Sequence, residues 1–189
     1  LKREKAGRFP PGSRWSYSNS GYVLLGLIVE KASGRTLPEF LRDRIFLPLG
    51  MAGTVAYVRG RNDVANRAYG HAREGGAWRE TDQSPTSATL GDGGVYSSAA
   101  DLAKWDEALR RHTLLSEAEM RPALEPVRVP GGPPTGPDGS PADYGFGWFL
   151  NPWRGHPRMW HYGETIGFRT AIERFIRDGV TVAVLANRA

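Results

Sequence analysis

The side chains able to do chemistry fall into two short stretches at opposite ends of the chain. Near the start, Tyr17 and Asn19 stand two residues apart among Ser13, Ser16, Ser18 and Ser20. Near the end, His161 is followed by Gly163 and Glu164. A serine hydroxyl attacks a carbonyl only when a nearby base takes its proton. A phenol has a pKa of ~10 in water, so it becomes a usable base only beside a cation such as an ammonium. An asparagine amide can donate and accept at once, and an imidazole changes charge near neutral pH. Taken alone, each stretch has a plainer reading. Tyr17 and Asn19 also suit a turn ahead of a helix, and His161 also suits a packed, hydrogen-bonded ring.

Other chemistries find little support. There is no cysteine, which excludes thiol catalysis, disulfides and Cys-ligated zinc. No two of the four histidines have metal-ligand spacing, so no metal site is expected, nor any cofactor. His71, His112 and His156 read as surface or loop residues. Gly91 to Gly94 is too short and too acidic for a phosphate-binding loop. Trp105, Tyr144, Phe146 and Trp148 read as core or cleft wall. The net charge of +5 is spread along the chain without a block of like charges, so no nucleic-acid partner is expected. No apolar run approaches the ~18 to 20 residues of a membrane span. The 189 residues suffice for a sizeable core.

The elements that must position these residues can be read from local signals. A turn-rich stretch, Phe9 to Ser20, leads into a helix predicted over Gly21 to Ser33. That helix is apolar nearly all round, which predicts deep burial, and Gly34 stops it. Thr36, Pro38 and Glu39 form a capping box for a second helix, with Leu37, Phe40, Leu41 and Ile45 on one face, ending at Pro48 and Gly50. Thr54 to Gly91 is polar, with short strand-like pieces. Ser98 to Asp101 caps a helix running to about Leu109, with Leu102, Trp105 and Leu109 along one face. Ser116 and Glu119 cap a shorter one. Val129 to Ala142 reads as an exposed glycine- and proline-rich loop. Tyr144 to Leu150 reads as an aromatic strand. Strands are expected at Phe168 to Ile176 and Val180 to Ala186, joined by the hairpin signal Arg177-Asp178-Gly179.

Three stretches in order carry a family resemblance. The first is Pro11-Gly12-Ser13-Arg14-Trp15-Ser16-Tyr17-Ser18-Asn19-Ser20-Gly21-Tyr22, leading on to Pro48-Leu49-Gly50-Met51. The second is Gly91-Asp92-Gly93-Gly94-Val95-Tyr96-Ser97-Ser98, with Asp101, Leu102 and Trp105. The third is His161-Tyr162-Gly163-Glu164-Thr165-Ile166-Gly167-Phe168, with Val184-Leu185-Ala186-Asn187. From Phe9 onward the chain resembles the class C β-lactamase type of serine hydrolase, which includes penicillin-binding proteins, D-amino-acid peptidases and esterases. The resemblance implies an α+β fold in which an antiparallel sheet packs with helices. It implies that Tyr17 relays protons and that Asn19 offers its amide to the substrate and to a lysine. It also places His161 where the lysine of a K-T-G motif stands, with Gly163 keeping the strand open to substrate and the backbone N–H of Glu164 serving an oxyanion hole.

The chain departs from that pattern in one respect. No serine is followed at the third position by lysine, so the S-x-x-K nucleophile motif is not within these residues. In the family that motif precedes Y-x-N. The expectation is therefore a single β-lactamase-like domain over residues 1–189, truncated at both ends. Its helical and loop region would span roughly 9–143 and its strands roughly 144–187. The implied function is that of a fragment of a hydrolase acting on ester, amide or β-lactam carbonyls through an acyl-serine, inactive alone. The alternative is a non-catalytic binding or structural module on the same fold. Association through an exposed sheet edge, or with the missing N-terminal segment, is expected. Substrate identity and compartment are not readable from these residues.

Overall fold

A computed structural model of the chain describes residues 6–81 and 89–188. In chain order the elements are α1 (Asn19–Ser33), α2 (Leu37–Leu41), β1 (Val55–Ala56), β2 (His71–Glu74), β3 (Ala77–Glu80), β4 (Val95–Tyr96), α3 (Ala99–Arg110), α4 (Glu117–Met120), β5 (Arg158–Thr165), β6 (Phe168–Phe175) and β7 (Val180–Ala186). The α+β class expected from the sequence is the class observed. Two small antiparallel pairs, β1 with β4 and β2 with β3, accompany a three-stranded sheet of order β5-β6-β7. Two residues join β5 to β6 and four join β6 to β7. Such connections are too short for a parallel crossover, so this sheet is an antiparallel meander.

The local capping signals act as their chemistry requires. The Glu39 carboxylate accepts hydrogen bonds from the Thr36 N–H at 3.0 Å and the Thr36 hydroxyl at 2.7 Å, which starts α2. The chain then widens into a π-helical turn at Arg42–Phe46 before stopping at Gly50, whose φ is +65°. Ser98 accepts from the Asp101 N–H at 3.2 Å and starts α3. Ser116 and Glu119 close a reciprocal box on α4.

The chain forms two compact units, each assembled from separate segments. One comprises Leu1–Ser18, Leu115–His161 and Ile172–Val182; the other comprises Asn19–Leu114, Tyr162–Ala171 and Ala183–Ala189. The first unit is built on an aromatic core in which Ala142, Tyr144 and Phe149 are buried and Trp15, Val127 and Trp160 pack against them. The second has its own core of Phe46, Met51 and Ala56, with Leu41, Ile45, Leu49 and Trp105 around it. Also in the second unit, Asp101 is buried. Its carboxylate accepts hydrogen bonds from the Gly53 N–H, the Thr54 hydroxyl and the Lys104 ammonium at 2.8, 2.9 and 2.9 Å.

Three expectations need correction. Helix α1 forms, starting two residues earlier than predicted, but it is not deeply buried. Leu24, Leu25, Leu27 and Ile28 are each about half exposed, and Gly26 is its buried residue. Packing covers one side, where Gly26 lies against Leu37 and the Leu90–Gly91 backbone. Tyr144 to Leu150 is not a regular strand. Gly147 takes φ +78° and the Gly145 N–H bonds back to the Trp148 carbonyl at 2.8 Å, so the segment folds on itself and Tyr144 bridges Phe149. The Val129 to Ala142 loop is irregular, as expected, but it is not wholly exposed: Pro134 and Ala142 are buried, and the Gly131 N–H donates to the Ser13 carbonyl at 2.9 Å. The expected strand content of Thr54 to Gly91 is met by β1, β2 and β3, with residues 82–88 lying outside the described residues.

Candidate active site

Tyr17 and His161 come from the two ends of the sequence and meet in one unit. Their ring centroids are 6.0 Å apart with an interplanar angle of 31°. Tyr17 is held at the end of the turn-rich segment, whose Ser13 carbonyl is tied to Gly131. His161 lies within β5, where the neighbouring Trp160 exchanges both backbone hydrogen bonds with Phe149 at 2.9 Å. This pairing brings the folded-back Tyr144–Phe149 segment against the imidazole. Phe149 stacks on His161 at 5.7 Å, and Tyr144 meets it edge-on at 6.3 Å. Tyr144 also contacts Trp15 at 5.3 Å and Tyr17 at 6.5 Å. The result is an aromatic box around one imidazole, with Tyr17 at its accessible side: 46% of Tyr17 is exposed, against 6% of Tyr144. A phenol open to solvent beside a titratable ring is an arrangement that can move protons at a bound substrate.

The remaining sequence-derived site residues lie in the other unit. Asn19 is exposed and opens α1. Gly163 and Glu164 continue β5. A Cβ on Gly163 would come within 2.6 Å of the Thr170 hydroxyl on β6, so cross-strand packing is one reason for glycine there. The Glu164 carboxylate pairs with Arg169 at 2.9 Å on an exposed surface. In the same unit, the Gly91–Ser98 stretch reaches the end of the His161–Phe168 stretch. Tyr96 packs edge-on against Phe168 at 6.2 Å. Arg67 sits over the rings of Tyr57, Tyr69 and Tyr96 at 4.6 to 5.0 Å and donates to the Tyr96 hydroxyl at 2.7 Å. The β5–β6 turn closes on Gly70, which faces Gly167 backbone to backbone; the His71 N–H bonds to the Asn187 carbonyl at 2.9 Å, and the Asn187 amide donates to the Tyr69 carbonyl at 2.9 Å.

Tyr144 and Phe149 are the members of the box whose part the sequence did not reveal. Tyr144 reads as core or wall from its aromatic surroundings, and it is buried. Its contact with His161 depends on the backward fold at Gly145 and Gly147, for which the paired glycines were the available signal. Among the described residues no group of three or more His, Asp or Glu side chains could hold a metal ion, and no helix is long and apolar enough to cross a membrane.

Comparison with known proteins matches residues 4–189 to the Beta-lactamase family. The chain belongs to that family. Among its relatives, Penicillin-binding protein 4* of Bacillus subtilis (strain 168) is 35% identical over 198 residues, which cover 97% of this chain and 42% of the relative. A D-aminopeptidase of Brucella anthropi is 31% identical over 185 residues, covering 89% of this chain and 31% of that protein. The crystal structure of a penicillin binding protein from Bacillus halodurans superposes with a TM-score of 0.81 at 29% identity, over 98% of this chain and 55% of that one. This Beta-lactamase family chain therefore has the fold of the penicillin-binding proteins and spans from just under a third to just over half of the length of these relatives.

Proposed function

We propose that the chain is the part of an acyl-serine hydrolase that supplies the proton relay and the substrate-binding strand. The observation that carries this reading is the 6.0 Å approach of the Tyr17 and His161 rings, drawn from two separate family stretches. The serine and lysine of an S-x-x-K motif act from outside these 189 residues. In the proposed reaction the serine Oγ attacks a carbonyl carbon as its proton passes toward the Tyr17 phenolate, which the lysine ammonium stabilises. The carbonyl electron pair moves to oxygen, where backbone N–H groups, that of Glu164 among them, stabilise the anion. The tetrahedral intermediate collapses, and the leaving amine or alkoxide takes the proton back from Tyr17. Water then repeats the cycle and frees the acid. Asn19 and His161 orient the substrate, and Gly163 lets it lie along β5.

Esters, amides and β-lactams share the carbonyl this chemistry needs. Similarity to a D-aminopeptidase supports D-aminoacyl amides as the first substrates to try. The second reading, a binding module without turnover, is favoured by one observation: no S-x-x-K occurs within the chain. The two readings separate in the full gene product. If it contains S-x-x-K and hydrolyses a D-aminoacyl p-nitroanilide or a chromogenic ester, the enzyme reading holds. If the gene encodes no such motif and the product binds a substrate analogue without turnover, the binding module replaces it.

A further inference from the structure

The buried phenol at the centre of the aromatic box touches the imidazole through its polar end. Tyr144 Oη lies 3.4 Å from His161 Nε2, at the long end of hydrogen-bonding distance. Neither ring is free to swing away. Tyr144 is confined by Phe149 at 4.8 Å, Trp15 at 5.3 Å and Tyr17 at 6.5 Å, and His161 is stacked on Phe149. The contact is thus held by packing on both sides. A buried phenol also needs a polar partner for its hydroxyl.

We propose that Tyr144 is a positioning residue that claims Nε2 of His161 and so holds the neutral imidazole as its Nδ1–H tautomer. The proposal deepens the reading of His161 as a substrate-orienting group and rests on it for its functional meaning. A phenol with pKa ~10 keeps its proton at neutral pH, so it donates to an unprotonated ring nitrogen. The nitrogen that accepts cannot carry the proton, which therefore sits on Nδ1. When the ring is protonated both nitrogens donate, and the phenol oxygen accepts from Nε2–H. In both states Nε2 faces Tyr144, so the ring keeps one orientation as its charge changes.

The tautomer can be read by two-bond proton–nitrogen correlation spectra of the chain carrying ¹⁵N-histidine. A pH of about 8.5 lies above the ordinary imidazole titration and below that of phenol. There are four histidines, and His161→Gln assigns the signal. The expected result is a pyrrole-type Nδ1 and a pyridine-type Nε2 at His161. Tyr144→Phe keeps the ring and removes the hydroxyl, and it should return His161 to a mixture of the two neutral tautomers. An Nε2–H tautomer in the wild-type chain overturns the proposal, and so does an unchanged pattern in a folded Tyr144→Phe. If that variant fails to fold, the wild-type spectrum alone decides. Because the measurement needs no turnover, its outcome is separable from that of the acyl-serine reading. In an active longer protein Tyr144→Phe should raise KM several-fold with a smaller fall in kcat. Equal falls in kcat and kcat/KM would place Tyr144 in the chemical step and contradict a positioning role.

Discussion

At the scale of single residues, the groups proposed for chemistry differ in setting from a group that serves stability. Tyr17 and His161 are in contact yet reachable, and their substitution should be read in kinetics. In a full gene product that carries an S-x-x-K segment, Tyr17→Phe is expected to slow acylation by about 10²-fold or more, the usual contribution of a general base. His161→Ala should mainly raise KM. A stopped-flow comparison of acylation rates would expose the reverse pattern. Asp101 belongs to the other class. Burial pushes its carboxyl up, but hydrogen bonds from Lys104, Thr54 and the Gly53 N–H, together with the Lys104 charge, outweigh that and hold it below the ordinary carboxylate range. A group depressed in the folded state stabilises it fully above the unfolded pKa, about 3.9. That contribution is lost as pH falls from about 4 through the lower folded value. Asp101→Asn should therefore lower stability at pH 7 by about 1–3 kcal/mol, the usual loss when buried hydrogen bonds to a charge are disturbed. The gap to wild type should narrow below pH 4 in urea melts; a gap that is constant with pH would show that the charge is not what matters.

At the scale of elements, what was legible in the sequence was what depends on neighbours along the chain. The Thr36–Glu39 and Ser116–Glu119 boxes and the Ser98 cap each act over three residues, and each starts the helix it predicts. Arg177-Asp178-Gly179 turns β6 into β7 in the same local way. The exposure of α1 was not legible, because an apolar helix states its preference and not what covers it. The box around His161 was legible only in part. Tyr17 and His161 were identified by resemblance, while Tyr144 arrives through a glycine fold-back that alternating aromatics disguise as a strand. The β5–β6 turn offers a direct test of backbone control. Gly167 has φ +77°, and a Cβ there would lie 2.7 Å from Gly70 backbone atoms. Gly167→Ala should thus destabilise the fold by at least the ~1–3 kcal/mol of a strained left-handed residue. An unchanged urea midpoint would mean that this close approach is not held in solution.

At the scale of the whole molecule, the family fold is present with apolar faces exposed. Leu24, Leu25, Leu27 and Ile28 of α1 and Val180, Val182 and Val184 of β7 are all near half exposure, and β7 is an edge of its sheet. An uncharged valine-rich edge is a template for pairing with another strand. The isolated chain is expected to self-associate in sedimentation velocity runs, and Val182→Lys should shift it toward monomer. A wild-type chain that stays monomeric across micromolar concentrations would contradict this. In the proposed reaction the nucleophile lies outside these residues, and Tyr17 and His161 serve it from within. Intact-mass spectrometry after incubation with a fluorophosphonate or a penicillin distinguishes a serine inside the chain from one outside it. The isolated chain should remain unlabelled, and a full gene product that carries an S-x-x-K motif should gain one adduct, mapped to the serine of that motif. A covalent adduct on any serine of the isolated chain, Ser16 or Ser18 for instance, would contradict it.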